Sequence, residues 1–286
     1  MRSATEADVE TARGLHGHLD LLCALDSRGV SSLQRQSFRA PFHLSKPHWD
    51  AGALVLNLAN PTAGLLSGDR VESRVRVESG AALVLSTPAA NRAFRMPGGF
   101  AQAIQRFEVA EGGWLECWPE LFIPQAGANY RQRTTIEVAA GGGLFFVESV
   151  APGRVASGEI FAFDSLRWET ELHFAGALAA RERYILRRGA EPLLTLQERF
   201  GAPYYASCFI VSPQLQADDA CWDRISKLQS PSLWAGCSRL AAGGWSIKLI
   251  AGGSIELRAA LSQIRSEIHA ALGRTPPALR RISPIG

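Results

Sequence analysis

The sequence lacks the features of several large protein classes. No window approaches the ~20 consecutive apolar residues that a membrane-spanning helix needs. The amino-terminal segment MRSATEADVET mixes three acids with one arginine and has no apolar core, so we expect no secretion signal. Basic and acidic residues are nearly balanced, at 30 and 27, and form no basic block. We therefore expect a soluble protein with neither a membrane nor a nucleic acid as partner.

Cysteine is scarce and irregularly placed. The chain of 286 residues has five cysteines, an odd number, and they form no C-x-x-C pair. This pattern predicts reduced thiols in a cytoplasmic protein rather than a disulfide framework or a zinc site. The five are Cys23, Cys117, Cys208, Cys221 and Cys237.

Common catalytic motifs are absent as well. The sequence has no G-x-S-x-G elbow, no G-x-x-x-x-G-K-[ST] loop and no G-x-G-x-x-G after a strand. The glycine-rich stretch at Leu66-Ser67-Gly68-Asp69 is not followed by a helical pattern. A nucleotide-dependent enzyme or a serine hydrolase is therefore not expected.

What the sequence does contain is a repeated unit of two strand patterns joined by a turn. Residues 71–78 alternate apolar and polar, which is typical of a half-buried strand, and residues 81–86 are continuously apolar, as in a strand buried on both faces. The unit recurs at 105–118, 131–148 and 166–186. Its turn glycines, Gly80, Gly113, Gly143 and Gly176, are spaced 33, 30 and 33 residues apart.

This period predicts the architecture. We interpret each unit as an antiparallel hairpin with glycine at a positive φ, which buries its apolar face only against the next unit. The expected fold is mainly β: an elongated, β-helix-like or sandwich body of stacked antiparallel hairpins. Residues 1–12 are expected to form a flexible tail and 13–286 a single domain, because no natural break divides the repeat.

Helical patterns occur only late in the chain. They predict helices over 214–229 and 255–272, with a further hairpin over 233–250 that turns at Gly243-Gly244. The second helix has one apolar stripe, and His269 is expected mostly outside it. The stripe consists of Leu257, Leu261, Ile264, Ile268 and Leu272.

Histidines and acids are the candidate site residues. His16-x-His18 on a strand share a face and could hold a divalent ion such as nickel, or be two exposed edge-strand histidines. Three acids stand beside glycine or proline in loops: Asp69, Glu120 and Glu159. They could line a polar track through the stacked body, or each could accept backbone N–H groups in its own turn.

Several segments closely resemble the UreD (UreH) family of urease accessory proteins. The loop Asn60 to Arg70, with Gly64, Gly68 and Asp69, matches the family's loop, and Ser86 to Arg95 follows it. The similarity continues through Trp118-Pro119-Glu120 and through the GR-x-x-x-GE motif, Gly153-Arg154 to Gly158-Glu159. It extends over nearly the whole chain from Gly17 onward.

The resemblance implies a β-rich scaffold with a pair of helices and no enzymatic activity. Such proteins bind the accessory protein UreF, through it the GTPase UreG, and urease apoprotein, and the assembly delivers nickel to urease through an internal passage. Position by position, Asp69, Thr87 and Glu159 match family positions in that passage. In one branch of the family, a Glu and an Asp stand at the positions of Leu121 and Ala126 in this chain. Glu120 is then the acid that remains at this level of the implied passage.

Two hypotheses follow from the sequence. The first is a urease maturation factor that binds UreF and UreG homologues and urease apoprotein and holds nickel only transiently, with no tightly bound cofactor. The second is a β-stacked glycoside hydrolase that uses Asp69 with Glu120 or Glu159 as a carboxylate pair ~5–10 Å apart in an open groove.

Overall fold

The computed structural model describes residues 14–279. Within this range the chain forms eighteen strands and three helices. In chain order the strands are β1 (His16–Leu25), β2 (Ser31–Arg39), β3 (His43–Leu44), β4 (His48–Asp50), β5 (Ala53–Ala59), β6 (Arg70–Val77), β7 (Ala82–Ser86), β8 (Asn91–Ala93), β9 (Ala101–Val109), β10 (Trp114–Trp118), β11 (Phe122–Pro124), β12 (Asn129–Val138), β13 (Gly143–Val150), β14 (Ser165–Phe174), β15 (Ala177–Arg187), β16 (Tyr204–Val211), β17 (Leu233–Arg239) and β18 (Trp245–Ala251). The helices are α1 (Glu191–Phe200), α2 (Ala220–Ser226) and α3 (Ser254–Ala271).

The repeated unit builds the coils of a β-helix. The first sheet has the order β15-β14-β12-β9-β6-β1-β2, and the second runs β17-β18-β16-β13-β10-β7-β5-β3. Strands β1, β6, β9, β12 and β14 pair in parallel in the first sheet, and β5, β7, β10 and β13 pair in parallel in the second. A mainly β, helix-like stack with helices near the C-terminus is therefore confirmed.

The prediction that each unit is an antiparallel hairpin is wrong for three of the four units. In those units the turn carries the chain from one sheet to the other, so the two strands face each other across the core instead of sharing a ladder. Only the last unit, β14 and β15, is an antiparallel hairpin. The predicted hairpin over 233–250 is present as β17 and β18.

Two of the four turn glycines do not have a positive φ. Gly80 and Gly176 do, but in the second and third units the positive φ belongs to Gly112 and Gly141. Gly143 is instead needed for close approach, because a Cβ there would clash with the indole of Trp114. Sequence spacing located the turns to within a residue or two but not which glycine bends the chain.

The core lies between the two sheets and extends to the outer side of the second one. Leu83, Leu85 and Leu115 pack inward against Val75 and Phe107 of the first sheet. On the outer side, α2 and α3 cover Phe145, Val147 and their neighbours. Strand β13 is consequently buried at every position, which confirms the prediction that the continuously apolar segments are covered on both faces.

One predicted helix is confirmed, one is shorter than predicted, and one was not predicted. Helix α3 spans Ser254–Ala271, close to the predicted 255–272, and its apolar stripe is buried. The predicted helix at 214–229 is reduced to α2, Ala220–Ser226, because turns occupy the residues before it. Helix α1 was not predicted, and among its residues only Leu193 is buried.

His269 is buried, at 1% exposure, rather than outside the stripe. All five cysteines are free, as expected. The predicted tail, residues 1–12, lies outside the described residues.

The outer face of the first sheet, on the side away from the second, is rich in arginine. We call it the basic sheet face. Strand alternation turns twelve arginines and six carboxylates to this side. The arginines are Arg35, Arg39, Arg70, Arg74, Arg76, Arg106, Arg131, Arg133, Arg167, Arg181, Arg183 and Arg187, and the carboxylates are Asp20, Glu72, Glu108, Glu137, Glu169 and Glu171.

Candidate functional site

A cavity of about 150 Å³ lies between the two sheets. One water occupies roughly 30 Å³ of liquid, so the space holds a few water molecules. Its walls combine apolar side chains such as Phe107 and Phe146 with a set of polar ones. The polar lining residues are Ser73, Ser86, Thr87, Asn91, Gln105, Glu120, Tyr130, Gln132, Glu148 and Ser149.

Glu148 of β13 is the most deeply buried acid on this lining, at 6% exposure. Its Oε1 accepts hydrogen bonds from Gln132 Nε2 at 2.7 Å and Thr134 Oγ1 at 3.4 Å, and its Oε2 accepts one from Thr170 Oγ1 at 2.8 Å. Burial raises the pKa of Glu148 to about 7, although the Thr170 hydroxyl counteracts this. The carboxyl group therefore changes its protonation state close to neutral pH.

A second polar group, which is only partly buried, stands near Glu148. Glu182 of β15 accepts hydrogen bonds from Tyr205 and from Ser207 Oγ, the latter at 2.8 Å, and it forms an ion pair with Lys248. Its charge raises the pKa of Glu148, whereas the Lys248 ammonium lowers it. Two carboxylates, one buried and one partly exposed, and a partly exposed ammonium group therefore influence one another.

Glu120 and Thr87 lie at the edge of this cavity. The Thr87 hydroxyl accepts a hydrogen bond from the backbone N–H of Glu120 at 2.8 Å. Glu120, with Pro119 and Ser149, also lines a surface cleft beside α3, where its carboxylate pairs with Arg258 at 2.9 Å. Glu120 therefore lies between the interior cavity and the surface.

Asp69 serves its own loop. Its Oδ1 accepts the backbone N–H of Leu15 and its Oδ2 that of Leu66, each at 2.8 Å. Gly68 has a φ of 85°, and a Cβ at Gly64 would clash with the backbone of Arg92. In this arrangement Asp69 ties the loop to the start of β1. This agrees with the alternative in which a loop acid accepts backbone N–H groups.

The GR-x-x-x-GE motif also closes a loop. Arg154 and Glu159 form an ion pair, with Nε to Oε2 at 2.8 Å, and Glu159 accepts the backbone N–H of Ala126 at 3.0 Å. The Arg154 guanidinium holds the pKa of Glu159 below its ordinary value. Gly153 has a φ of 146° and lies against the carbonyl of Glu159, and Gly158 has a φ of 73°.

His16 and His18 are exposed on β1, and His18 Nε2 lies 2.9 Å from Ser37 Oγ. Across residues 14–279, no group of three or more His, Cys, Asp or Glu side chains is placed to hold a metal ion. The structure thus supplies no third ligand for the predicted histidine pair within that range.

The three loop acids are held by different partners: Asp69 by backbone amides, Glu159 by Arg154 and Glu120 by Arg258. A glycosidase requires two carboxyl groups that face each other across an open groove. The partners of these three acids do not favour that arrangement.

Comparison with known proteins is consistent with the motifs. The family described as "UreD urease accessory protein" matches residues 15–284. A protein of Opitutus terrae called urease accessory protein UreD is 43% identical over 263 residues, which cover 90% of this chain and 96% of the relative. A protein of the same name from Deinococcus radiodurans is 32% identical over 270 residues, covering 88% and 90%.

The chain belongs to the UreD family of urease accessory proteins.

For this UreD-family chain, the motif residues and the interior site are distinct. Asp69 and Glu159 mark the family in sequence, but both lie in loops. Sequence reasoning did not single out Glu148, although one signal was available: it is the only charged residue in the apolar run LFFVESV, and a buried polar residue is more informative than the apolar residues around it. Among residues 14–279, no helix is long and apolar enough to cross a membrane.

Proposed function

We propose that this chain is a non-enzymatic scaffold of urease maturation that binds UreF and UreG homologues together with urease apoprotein and passes nickel through its interior cavity. Family membership supports the role in maturation, and Glu148 carries the proposal of a nickel route. In this proposal nickel is cargo, held transiently, and the chain works in the cytoplasm.

The donor chemistry of the cavity suits a cation that must leave again. The carboxylate and hydroxyl oxygens of Glu148, Thr87 and Glu120 are hard ligands, whereas tight nickel capture in proteins favours imidazole or thiolate donors. Because the pKa of Glu148 is about 7, this group releases its proton when a cation arrives and takes one up when the cation departs. Weak, reversible contacts of this kind match a conduit rather than a store.

The cleft beside α3 offers a route between the cavity and the surface. Glu120 borders both spaces and is paired with Arg258, which is half exposed. We propose that the ion passes this pair, and that the Asp69 and Glu159 loops keep the coils at that end in place.

Apolar groups on α1, β17 and α3 are the proposed docking surface for the UreF homologue. Trp234 is 42% exposed and packs edge-on against Phe200 at 4.9 Å, and Ile255 is 78% exposed. Aromatic side chains of this kind are enriched among the residues that dominate binding energy at protein interfaces.

The decisive experiment expresses the chain with its urease gene cluster and measures nickel per urease active site by elemental analysis. Glu148→Gln is compared with Glu137→Gln, an exposed glutamate on β12. We expect Glu148→Gln to co-purify with its partners but to lower nickel loading by about tenfold, with Glu137→Gln unchanged. Normal loading in Glu148→Gln overturns the nickel route. Failure of the wild-type chain to co-purify with UreF and urease apoprotein overturns the scaffold role.

A further inference from the structure

The basic sheet face holds more arginine than its own carboxylates can neutralise. Its twelve arginines and six carboxylates give an excess of six positive charges, against +3 for the whole chain. Five of the carboxylates form ion pairs on this face, with Arg35, Arg70, Arg74, Arg133 and Arg181. The other seven arginines have no carboxylate partner within residues 14–279.

Four of these seven lie together near the starts of β12 and β14. Arg131 of β12 is directly opposite Arg167 of β14, and Arg167 is directly opposite Ile185 of β15. Arg183 and Arg187 lie on either side of Ile185 along β15, on the same face. We call Arg131, Arg167, Arg183 and Arg187 the arginine cluster.

This arrangement is unfavourable within the free protein. Like charges directly opposite on neighbouring strands destabilise a sheet. The pKa of Arg131 is lowered by burial and, in addition, by the charge of Arg167. Ile185 is 51% exposed in the middle of the charges, although it is a large apolar side chain. A local conflict of this kind is expected where function, rather than stability, determines the residues.

The cluster is also held in position. The guanidinium carbon of Arg131 lies 3.6 Å from the centroid of the Phe100 ring, a cation–π contact. The four side chains stand on three adjacent strands of a regular ladder, so their spacing is fixed by the sheet rather than by loops. A ligand therefore meets four arginines at fixed strand positions, and the Phe100 ring already holds the side chain of Arg131.

We propose that the arginine cluster, with Ile185 at its centre, binds an acidic segment of a partner protein that also carries an apolar side chain. Guanidinium groups bind carboxylates with paired N–H donors, and Ile185 offers an apolar contact that such a segment can cover. This surface is independent of the proposed nickel route.

Charge complementarity favours a protein over a nucleic acid. Glu169 is directly opposite Arg183 across β14 and β15, and five more carboxylates share the face. A phosphate backbone carries negative charge at every step and would be repelled by these carboxylates, whereas a protein segment can place its acids opposite the arginines alone.

The test compares two variants of equal net charge. The cluster variant is Arg167→Gln with Arg183→Gln and Arg187→Gln. The matched control is Arg35→Gln with Arg70→Gln and Arg74→Gln, which removes three arginines of the same face that already have carboxylate partners. The probes are a short fluorescein-labelled peptide of alternating glutamate and valine, the same peptide with glutamine in place of glutamate, and labelled oligo(dT). Fluorescence anisotropy is recorded at low and at physiological salt.

We expect the wild-type chain to bind the glutamate peptide in preference to the glutamine peptide. Affinity should fall about tenfold, equivalent to 1.4 kcal/mol, in the cluster variant and less than about twofold in the control. Ile185→Ser, which leaves the charges intact, should also weaken binding. Equal losses in both triple variants, no binding by the wild-type chain, or cluster-dependent binding of oligo(dT) that exceeds that of the peptide would each overturn the proposal.

Discussion

Glu116 in β10 and His269 in α3 lie 3.1 Å apart, carboxylate Oε2 to imidazole Nε2, although 153 residues separate them in sequence. The same carboxylate pairs with Arg265, one helical turn before His269. Exposure of the side chains is 0% for Glu116, 11% for Arg265 and 2% for His269. This buried group fixes α3 against the outer side of the second sheet.

Removal of Glu116 should therefore strongly destabilise the protein. Glu116→Ala leaves the Arg265 charge buried without its partner, and loss of one member of a buried ion pair costs about 3–5 kcal/mol. Urea unfolding followed by tryptophan fluorescence measures the change. As a control, Glu137→Ala on the exposed side of β12 should change stability by about 0.5 kcal/mol or less. A small effect at Glu116 would show that α3 is held by its apolar stripe alone.

The Glu116 group should also make the protein acid-sensitive. Burial by itself would raise the pKa of Glu116, but His269 and Arg265 outweigh it and hold the pKa below its ordinary value of 4.5. An acid with a lowered folded-state pKa contributes stability above its unfolded pKa, and this contribution is lost as the pH falls through the folded value. The stability difference between wild type and Glu116→Gln should shrink below pH 4.5. A difference that stays constant as the pH falls would contradict this assignment.

Glu148 should have the opposite dependence on pH. Its pKa is raised from 4.5 to about 7. Between pH 4.5 and pH 7 the folded protein therefore keeps a proton that the unfolded chain has already released. Stability contributed at this site falls as the pH rises from 4.5 to 7, by about 3 kcal/mol at 1.36 kcal/mol per pKa unit. Glu148→Gln cannot ionise, so its stability relative to wild type should increase from pH 5 to pH 8. Urea unfolding of both proteins at pH 5 and at pH 8 tests this. The same stability difference at the two pH values would contradict a raised pKa.

Asp69 should act on stability rather than on nickel transfer. Asp69→Ala leaves the backbone N–H groups of Leu15 and Leu66 without their acceptors, at about 1–3 kcal/mol for each such group that stays buried. We expect urease activation to fall only as far as the amount of folded protein falls, and to recover when expression is carried out at lower temperature. A fully folded and complexed Asp69→Ala protein that fails to load nickel would instead place this acid on the ion's route.

Gly153 should tolerate no side chain. With a φ of 146° and the Glu159 carbonyl in the way of a Cβ, Gly153→Ala combines backbone strain of about 1–3 kcal/mol with a steric clash. Gly158→Ala is the comparison, because Gly158 also has a positive φ but nothing within 4 Å of its Cβ position. Thermal unfolding should show a clearly larger loss for Gly153→Ala. Equal losses would mean that the loop shifts to remove the clash.

Much of the fold could be predicted from sequence periodicity. Alternation in 71–78 indicated a half-buried strand, the continuously apolar segments indicated strands covered on both faces, and the apolar stripe of α3 placed that helix within one residue at each end. These predictions succeed because a side chain's environment depends on the face of the element that carries it. Periodicity contains no information about which strand pairs with which, and so the hairpins were predicted where the structure has parallel coils.

The candidate site shows the same limit. Motifs identified the family and singled out Asp69 and Glu159, whose loops tie the coils together, but the interior carboxyl group, Glu148, carries no motif. Its pKa is raised by burial, and its hydrogen-bond donors, Gln132, Thr134 and Thr170, converge on it only when β12 and β14 stack beside each other and face β13.

By itself, then, the sequence determined the strand content, the repeat of about thirty residues, the final helix and the family, because each of these depends on local pattern or on motif order. Only the tertiary structure decided that successive units stack in parallel, that Glu148 shares a cavity with Glu120, that His269 reaches Glu116, and that four arginines gather around Ile185. Each of these depends on strand register or on the packing of one element against another, and neither is contained in a local sequence pattern.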